Sequence, residues 1–178
     1  MPRILPLTDE NISNETKSAF EKHVREHQSR ITNMKATMGR SVLAFEIYMR
    51  WYDLYESVKK ITGNRLAYLF AHSISSGSNC PLCTTYFRKV IIENGEKPEK
   101  LVLTEEEQTL LDFGSEISIQ SGRISEELYQ RVAKKYNEEE IVVLIAFAGQ
   151  MIATNVFSNT IEVEIDDYLA PYTSLTKE

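Results

Sequence analysis

The sequence predicts an all-α fold, a single helical domain of about seven helices. Three observations carry this. Apolar residues recur three or four positions apart along most of the chain, and no stretch alternates convincingly as a strand would. Two capping boxes, Thr104 with Glu107 and Asn137 with Glu140, mark helix starts. Seven Gly and five Pro among 178 residues leave little punctuation for a loop-rich chain.

Taken in order, residues 14–31 carry Phe20, Val24, His27 and Ile31 at helical spacing, an amphipathic first helix. Residues 41–60 place Leu43, Ile47, Trp51, Leu54 and Val58 on one face and Val42, Phe45, Met49 and Tyr52 on another. That helix is therefore expected to be buried on two sides or to enter an oligomer contact. After the Gly63-Asn64 turn a third helix spans about 65–76 and stops in Ser75-Ser76-Gly77-Ser78-Asn79. The fourth opens with Cys80-Pro81-Leu82-Cys83 and runs to Asn94-Gly95. Residues 94–103 form a connector. The Thr104 box opens a helix to roughly Gln120, Ser125 caps a short helix with Leu128 and Val132, and the Asn137 box opens the long one to about Thr160. The tail beyond Ile161 is acidic, then Pro-containing, and is expected to pack loosely.

A chain of this length buries roughly 70% of its unfolded surface and needs no disulfide to hold it together. Hydrophobic content of 42% and charged content of 26% are those of an ordinary globular protein, and the net charge of −6 disfavours a nucleic-acid partner. Met1 to Glu10 has no apolar export signal. The apolar run Ile141–Gly149 is too short for a membrane span, with Gln150, Thr154 and Asn155 interrupting its continuation. The expectation is a cytoplasmic protein with no membrane partner, in a compartment where a disulfide is transient and catalytic or sensing.

The two cysteines, Cys80 and Cys83, are the only ones in the chain. Positions i and i+3 meet on adjacent turns of a helix, so the sulfurs can join in a short-range disulfide. Ser78 or Asn79 can cap this helix, and Pro81 suits its first turn. Free N–H groups and the helix dipole stabilise a thiolate there, and a second thiol one turn away can resolve a sulfenic acid or mixed disulfide. The dipole argument favours Cys80 as the thiolate. The bland alternative is a pair of inert buried thiols. A zinc site would need two more ligands; His23 and His27 supply them only in an order and spacing that fit no common finger.

The segment Ala71 to Glu93, AHSISSGSNCPLCTTYFRKVIIE, resembles the core of the alkylhydroperoxidase D-like, carboxymuconolactone decarboxylase family. There a helix ends, a short polar turn follows, and Cys-x-x-Cys begins the next helix. Downstream, LTEEEQTLLDFGSEI and ISEELYQRVAKKYNEEEIVVLIAFAGQMIATNVFSNTIEVEI are similar to the family's second half, with Asn155 near the centre of the long final helix. The resemblance covers about residues 33–170, leaving 1–32 as an N-terminal helical extension and 171–178 as a tail. It implies an all-helical homo-oligomer, a trimer or larger, with no cofactor and no metal. In the family's redox branch the pair cycles between dithiol and disulfide, reducing peroxides or partner disulfides at the expense of a thiol reductant in antioxidant defence. The lactone-decarboxylating branch generally lacks Cys-x-x-Cys, so its presence favours redox. By resemblance Cys83 is the peroxide-reactive thiol and Cys80 the resolving one.

Two positions depart from that family. Its redox motif has a His four residues after the second Cys and a Glu twelve before the first, where this chain has Phe87 and Tyr68. Neither restores the proton relay, since a phenol near pKa 10 is a poor base at neutral pH. His72, one turn after Tyr68, is the candidate replacement, set against a purely structural histidine. Tyr86 reads as packing, and Glu46 as a solvated or oligomer-facing carboxylate. The chain is thus expected to be a thiol–disulfide oxidoreductase with weak hydroperoxide reductase activity. The alternative is a helical oligomer that senses redox state or binds zinc without turnover.

Overall fold

Residues 64–77 are apolar on nearly every side, and such a helix has to be enclosed by others. In the computed structural model, which describes residues 1–173, it is the central element. The helices among the described residues are α1 (Asn14–His27), α2 (Asn33–Met38), α3 (Val42–Met49), α4 (Trp51–Thr62), α5 (Asn64–Gly77), α6 (Pro81–Glu93), α7 (Glu105–Ile119), α8 (Glu126–Ala133) and α9 (Glu138–Thr160). Short 3-10 turns lie at Pro98–Lys100 and Asp167–Tyr172. The all-α expectation holds, with nine α-helices where the sequence suggested seven.

Helices α4, α6, α7 and α9 surround α5, on which Ala67, Phe70, Ala71, Ile74 and Ser75 are wholly buried. The α5–α7 crossing depends on Gly114, where a Cβ would stand 2.7 Å from both Phe70 Cε2 and Ser73 Oγ. A bare Cα is what permits this approach. Both capping boxes form as the sequence indicated: Glu107 N donates to Thr104 Oγ1 (3.2 Å) and Glu140 N to Asn137 Oδ1 (3.0 Å). In return, each glutamate carboxylate accepts from the backbone N–H of its cap residue.

By length and a mean hydropathy of 1.9, α9 alone among the described residues would suit a membrane span, because the helix continues through Gln150, Thr154 and Asn155 instead of stopping at Gly149. Its packing is that of a core helix: Leu144, Phe147 and Ala148 are fully buried, against α4, α5, α7 and α8.

Three local expectations are corrected. Helix α1 ends at His27, because Gln28 turns left-handed (φ 48), and its inner face is Thr16, Phe20 and His23, with Val24 exposed. The expected helix 41–60 breaks at Arg50, whose N–H closes a tighter bond to Ile47 O (3.2 Å). One straight rod could not bury both of its apolar faces. The break lets α3 bury Phe45 and Met49 and α4 bury Trp51 and Val58, and it leaves Leu43 and Ile47 in water. The segment after Ile161 packs firmly: Leu169 is buried against Cys80, Leu82 and Cys83, and Arg88 Nε donates to Tyr172 O (3.1 Å). Of the expected tail, residues 174–178 lie outside the described residues.

Candidate active site

The turn between α5 and α6 is shaped for a cysteine. Asn79 is left-handed (φ 49), a conformation that Asn tolerates, and Asn159 of α9 donates to the carbonyls of Ser78 and Asn79 (both 3.2 Å). Cys80 N donates back to Ser75 O (3.1 Å). The N-cap of α6 is therefore Cys80 itself, with extended backbone (φ −101, ψ 100) and Pro81 following, and neither Ser78 nor Asn79 caps the helix. Ser78 instead closes α5. Both thiols are free and buried, Cys80 at 1% exposure and Cys83 at 8%.

The two thiols shift each other's acidity in opposite directions. Cys80 is drawn below the ordinary thiol range, first by a hydrogen bond from the Cys83 thiol, then by the N–H groups of Cys83 and Leu82 at the helix start. Cys83, which donates that bond and is also desolvated, is pushed well above the range. Ser158 Oγ on α9, buried with no oxygen or nitrogen partner, lies near enough to favour a thiolate on either sulfur. Of the two sulfurs, Cys80 is the more readily ionised and Cys83 the less.

A cavity of about 240 Å³ opens at Cys83, and Cys80 is not part of its wall. Trp51, Tyr52, Tyr86, Phe87 and Tyr168 supply an aromatic part of the lining, and Arg30, Lys35, Lys89 and Asp166 supply its charged groups. Lys35 is the residue that sequence reasoning missed. It sits at 4% exposure on α2, with Nζ donating to Ser29 Oγ (2.7 Å), Arg30 O (2.9 Å) and Tyr52 Oη (2.9 Å). The carboxylate whose charge reaches it is Asp166, but Asp166 Oδ1 accepts from Asn33 N (2.9 Å) and Oδ2 is buried without a partner. Burial, against only that weak counter-charge, lowers Lys35 to about 7. The only sequence signal was the Thr32 cap of a six-residue helix, too short for a periodic pattern to reveal which face is buried.

The residues singled out in the sequence fall in several places. His72 does not line the cavity; the charges that reach it are those of Arg88 and Glu99, which pair at 2.7 Å. Its Nε2 is buried without a partner, and burial lowers its pKa to about 4, leaving it neutral at pH 7. Tyr68 donates to Glu96 Oε1 (2.9 Å), while Phe87 and Tyr86 form cavity wall. Glu46 lies with His23 and His27 in a second hollow between α1 and α3. The zinc arrangement is not assembled. His23 packs edge-on to Phe45 and Tyr52, His27 stacks on Tyr52 at 4.4 Å, and among the described residues no three His, Cys, Asp or Glu side chains gather around a possible metal position.

His23 carries a pH prediction. Burial, then the Lys35 and His27 charges, lower its pKa from 6.5 to about 3. The unfolded chain binds a proton at 6.5 that the folded one refuses until about 3. The stability linked to neutral His23 is therefore complete above 6.5 and drains away as pH falls toward 3. His23→Phe, which keeps the edge-on packing, is expected to flatten this part of the acid-unfolding curve. Thermal melts from about pH 4 to pH 7 measure it.

No family model and no curated protein matches the sequence. Solved structures do match the fold. The debrominase Bmp8 superposes with a TM-score of 0.78 over 95% of both chains at 16% identity. A peroxidase-related protein from Silicibacter sp. TM1040 gives 0.69 at 16% identity, over 96% of this chain and 93% of its own. An Agrobacterium tumefaciens protein of unknown function, for which an AhpD-type antioxidant-defence role has been suggested, gives 0.62 at 18% identity, over 71% and 92%. At these identities the likeness is one of fold, and the fold is the AhpD-like all-helical domain.

Proposed function

We propose that the protein is a dithiol oxidoreductase that reduces small hydroperoxides or disulfides by cycling Cys80 and Cys83 between dithiol and disulfide. The observation that carries this reading is a pair of free, buried thiols one turn apart at a helix start, one of which opens onto a cavity. Cys80, the more acidic thiol, is the one that ionises, and its thiolate accepts the Cys83 proton as Cys83 Sγ attacks the substrate. Cys83 Sγ attacks the outer peroxide oxygen, the O–O bond breaks, and a sulfenic acid forms on Cys83. Cys80 then displaces the hydroxyl as water, giving the disulfide, which an external thiol reductant restores. His72, on the Arg88 side of α5, is not required in this scheme.

The AhpD-like fold shared with antioxidant-defence and peroxidase-related proteins supports the peroxide assignment. Val142, Ile145 and Val156 of α9, with Leu43 and Ile47 of α3, are apolar and exposed, which supports self-association as part of the same reading. The reaction needs a compartment that keeps thiols reduced, as the cytoplasm does.

The test is intact mass and free-thiol count after one equivalent of an organic hydroperoxide. The expected result is rapid loss of two hydrogens and of both thiols. Thiols that stay reduced would overturn the proposal.

A second reading, reductive dehalogenation of a small aromatic compound, is favoured by the aromatic part of the cavity lining and by the full-length fold match to Bmp8. That debrominase was also solved, as a cysteine-to-alanine form, with 2,3,4-tribromopyrrole. The same dithiol supplies the two electrons such a reaction consumes. Halide released from a halogenated pyrrole, with no hydroperoxide consumed, would select it.

A further inference from the structure

The geometry points to Lys35 as the proton donor of this site, protonating, through the Ser29 hydroxyl, the oxygen that leaves when Cys83 attacks. This inference rests on the dithiol reading and supplies what the sequence lacks at Tyr68 and Phe87. Lys35 on α2 and Cys83 on α6 line one cavity. Three hydrogen bonds fix Nζ, and two of its partners, Ser29 Oγ and Tyr52 Oη, are themselves 2.7 Å apart. The amine is thus held at the wall beside a hydroxyl pair, not swinging in solvent. No structural ion pair accounts for burying this lysine, since Asp166 spends Oδ1 on the Asn33 amide. A buried amine without a full counter-charge is costly, and it has an evident use where negative charge develops.

The step balances. Cys83 thiolate and ROOH give the sulfenic acid and RO⁻. The Lys35 ammonium, whose three N–H groups are all engaged, passes a proton to the Ser29 hydroxyl as that hydroxyl gives its own to RO⁻, leaving ROH and a neutral amine. Cys80 thiol and the sulfenic acid then give the disulfide and water. Lys35 regains its proton from solvent.

The groups facing Lys35 are Arg30 on the preceding loop, His23 and His27 on α1, Tyr52 on α4, Cys83, Tyr86 and Lys89 on α6, and Asp166 and Tyr168 on the C-terminal segment. Burial raises all three phenols, Tyr52 to about 12, and His23 is lowered to about 3. The acid form of Lys35 is present below its value of about 7 and is lost as pH rises through it.

The experiment compares hydroperoxide reduction with reduction of an aromatic disulfide whose thiolate leaves without needing a proton. In the native protein kcat/KM for hydroperoxide is expected to fall about tenfold per pH unit above about pH 7. Lys35→Met should lose that limb and about 10²–10³-fold of the rate at pH 6, yet keep the disulfide reaction. Lys35→Arg, which keeps the charge but holds its proton, should not restore it. Tyr52→Phe, which removes one acceptor from the ammonium, should move the limb to lower pH, and it decides the matter if Lys35→Met does not fold. An unchanged rate and pH profile in Lys35→Met, or an unmoved limb in Tyr52→Phe, would overturn the inference. Failure of the native protein to form the disulfide at all would instead sink the dithiol reading.

Discussion

Cys80→Ser is expected to trap a sulfenic acid on Cys83, and Cys83→Ser is expected to abolish reaction with hydroperoxide. The asymmetry follows from access. Cys83 lines the cavity, whereas Cys80 is 1% exposed and lies off its wall. Acidity alone would favour the opposite order, because the hydrogen bond from Cys83 and the N–H groups at the helix start lower the Cys80 thiol. Acidity sets how much thiolate exists, but a sulfur that cannot reach the peroxide oxygen has no in-line path to attack it. In the proposed cycle Cys80 acts first as the base for Cys83 and afterwards as the resolving thiol. Without it Cys83 has lost its proton acceptor, so its oxidation should be slower and should need higher pH, in keeping with the upward push that burial gives this thiol. Neither substitution should unfold the domain, since serine is a good N-cap at position 80 and the main core lies outside the small Cys80, Leu82, Cys83 and Leu169 cluster. Mass spectrometry after trapping with a sulfenic-acid-selective dione measures the outcome. A trapped adduct on Cys80 in Cys83→Ser would transfer the attacking role to Cys80.

Phe147→Ala is expected to destabilise the fold by about 3–5 kcal/mol. Phe147 is wholly buried on α9, its ring stacked on Tyr55 (5.6 Å, 21°) and close to Phe70 (6.0 Å) and Trp51 (6.4 Å). It joins α4, α5 and α9 at one point, so no single neighbour can move to fill the space without disturbing two helices. Against a typical total of about 5–15 kcal/mol, the loss removes a large share of the stability. Because Trp51 also forms cavity wall, substrate affinity should fall with it. Urea titration should show a lower midpoint at unchanged slope. A loss below about 1 kcal/mol would mean that the three helices do not meet at this ring.

What the sequence determined by itself is local. The Thr104, Ser125 and Asn137 caps, the end of α9 at Thr160, and the placing of Cys80 and Cys83 at a helix start all depend on residues within four positions of one another. Helical periodicity and capping operate over that range, which is why the all-α class and the place of the cysteine pair were legible. The break at Arg50 was not legible, because two apolar faces on one run can be satisfied only once the neighbouring helices are in place. Nor was the packing of Leu169 on the cysteines, or the choice of Cys80 over Ser78 and Asn79 as the cap. Lys35 shows the limit most plainly. Its neighbours Tyr52, Cys83 and Asp166 lie far along the chain, and nothing in the residues around it distinguishes a solvated lysine from a desolvated one. Burial, and with it the acidity that matters to chemistry, belongs to the assembled surroundings, so only the tertiary structure decided which group faces the reactive sulfur.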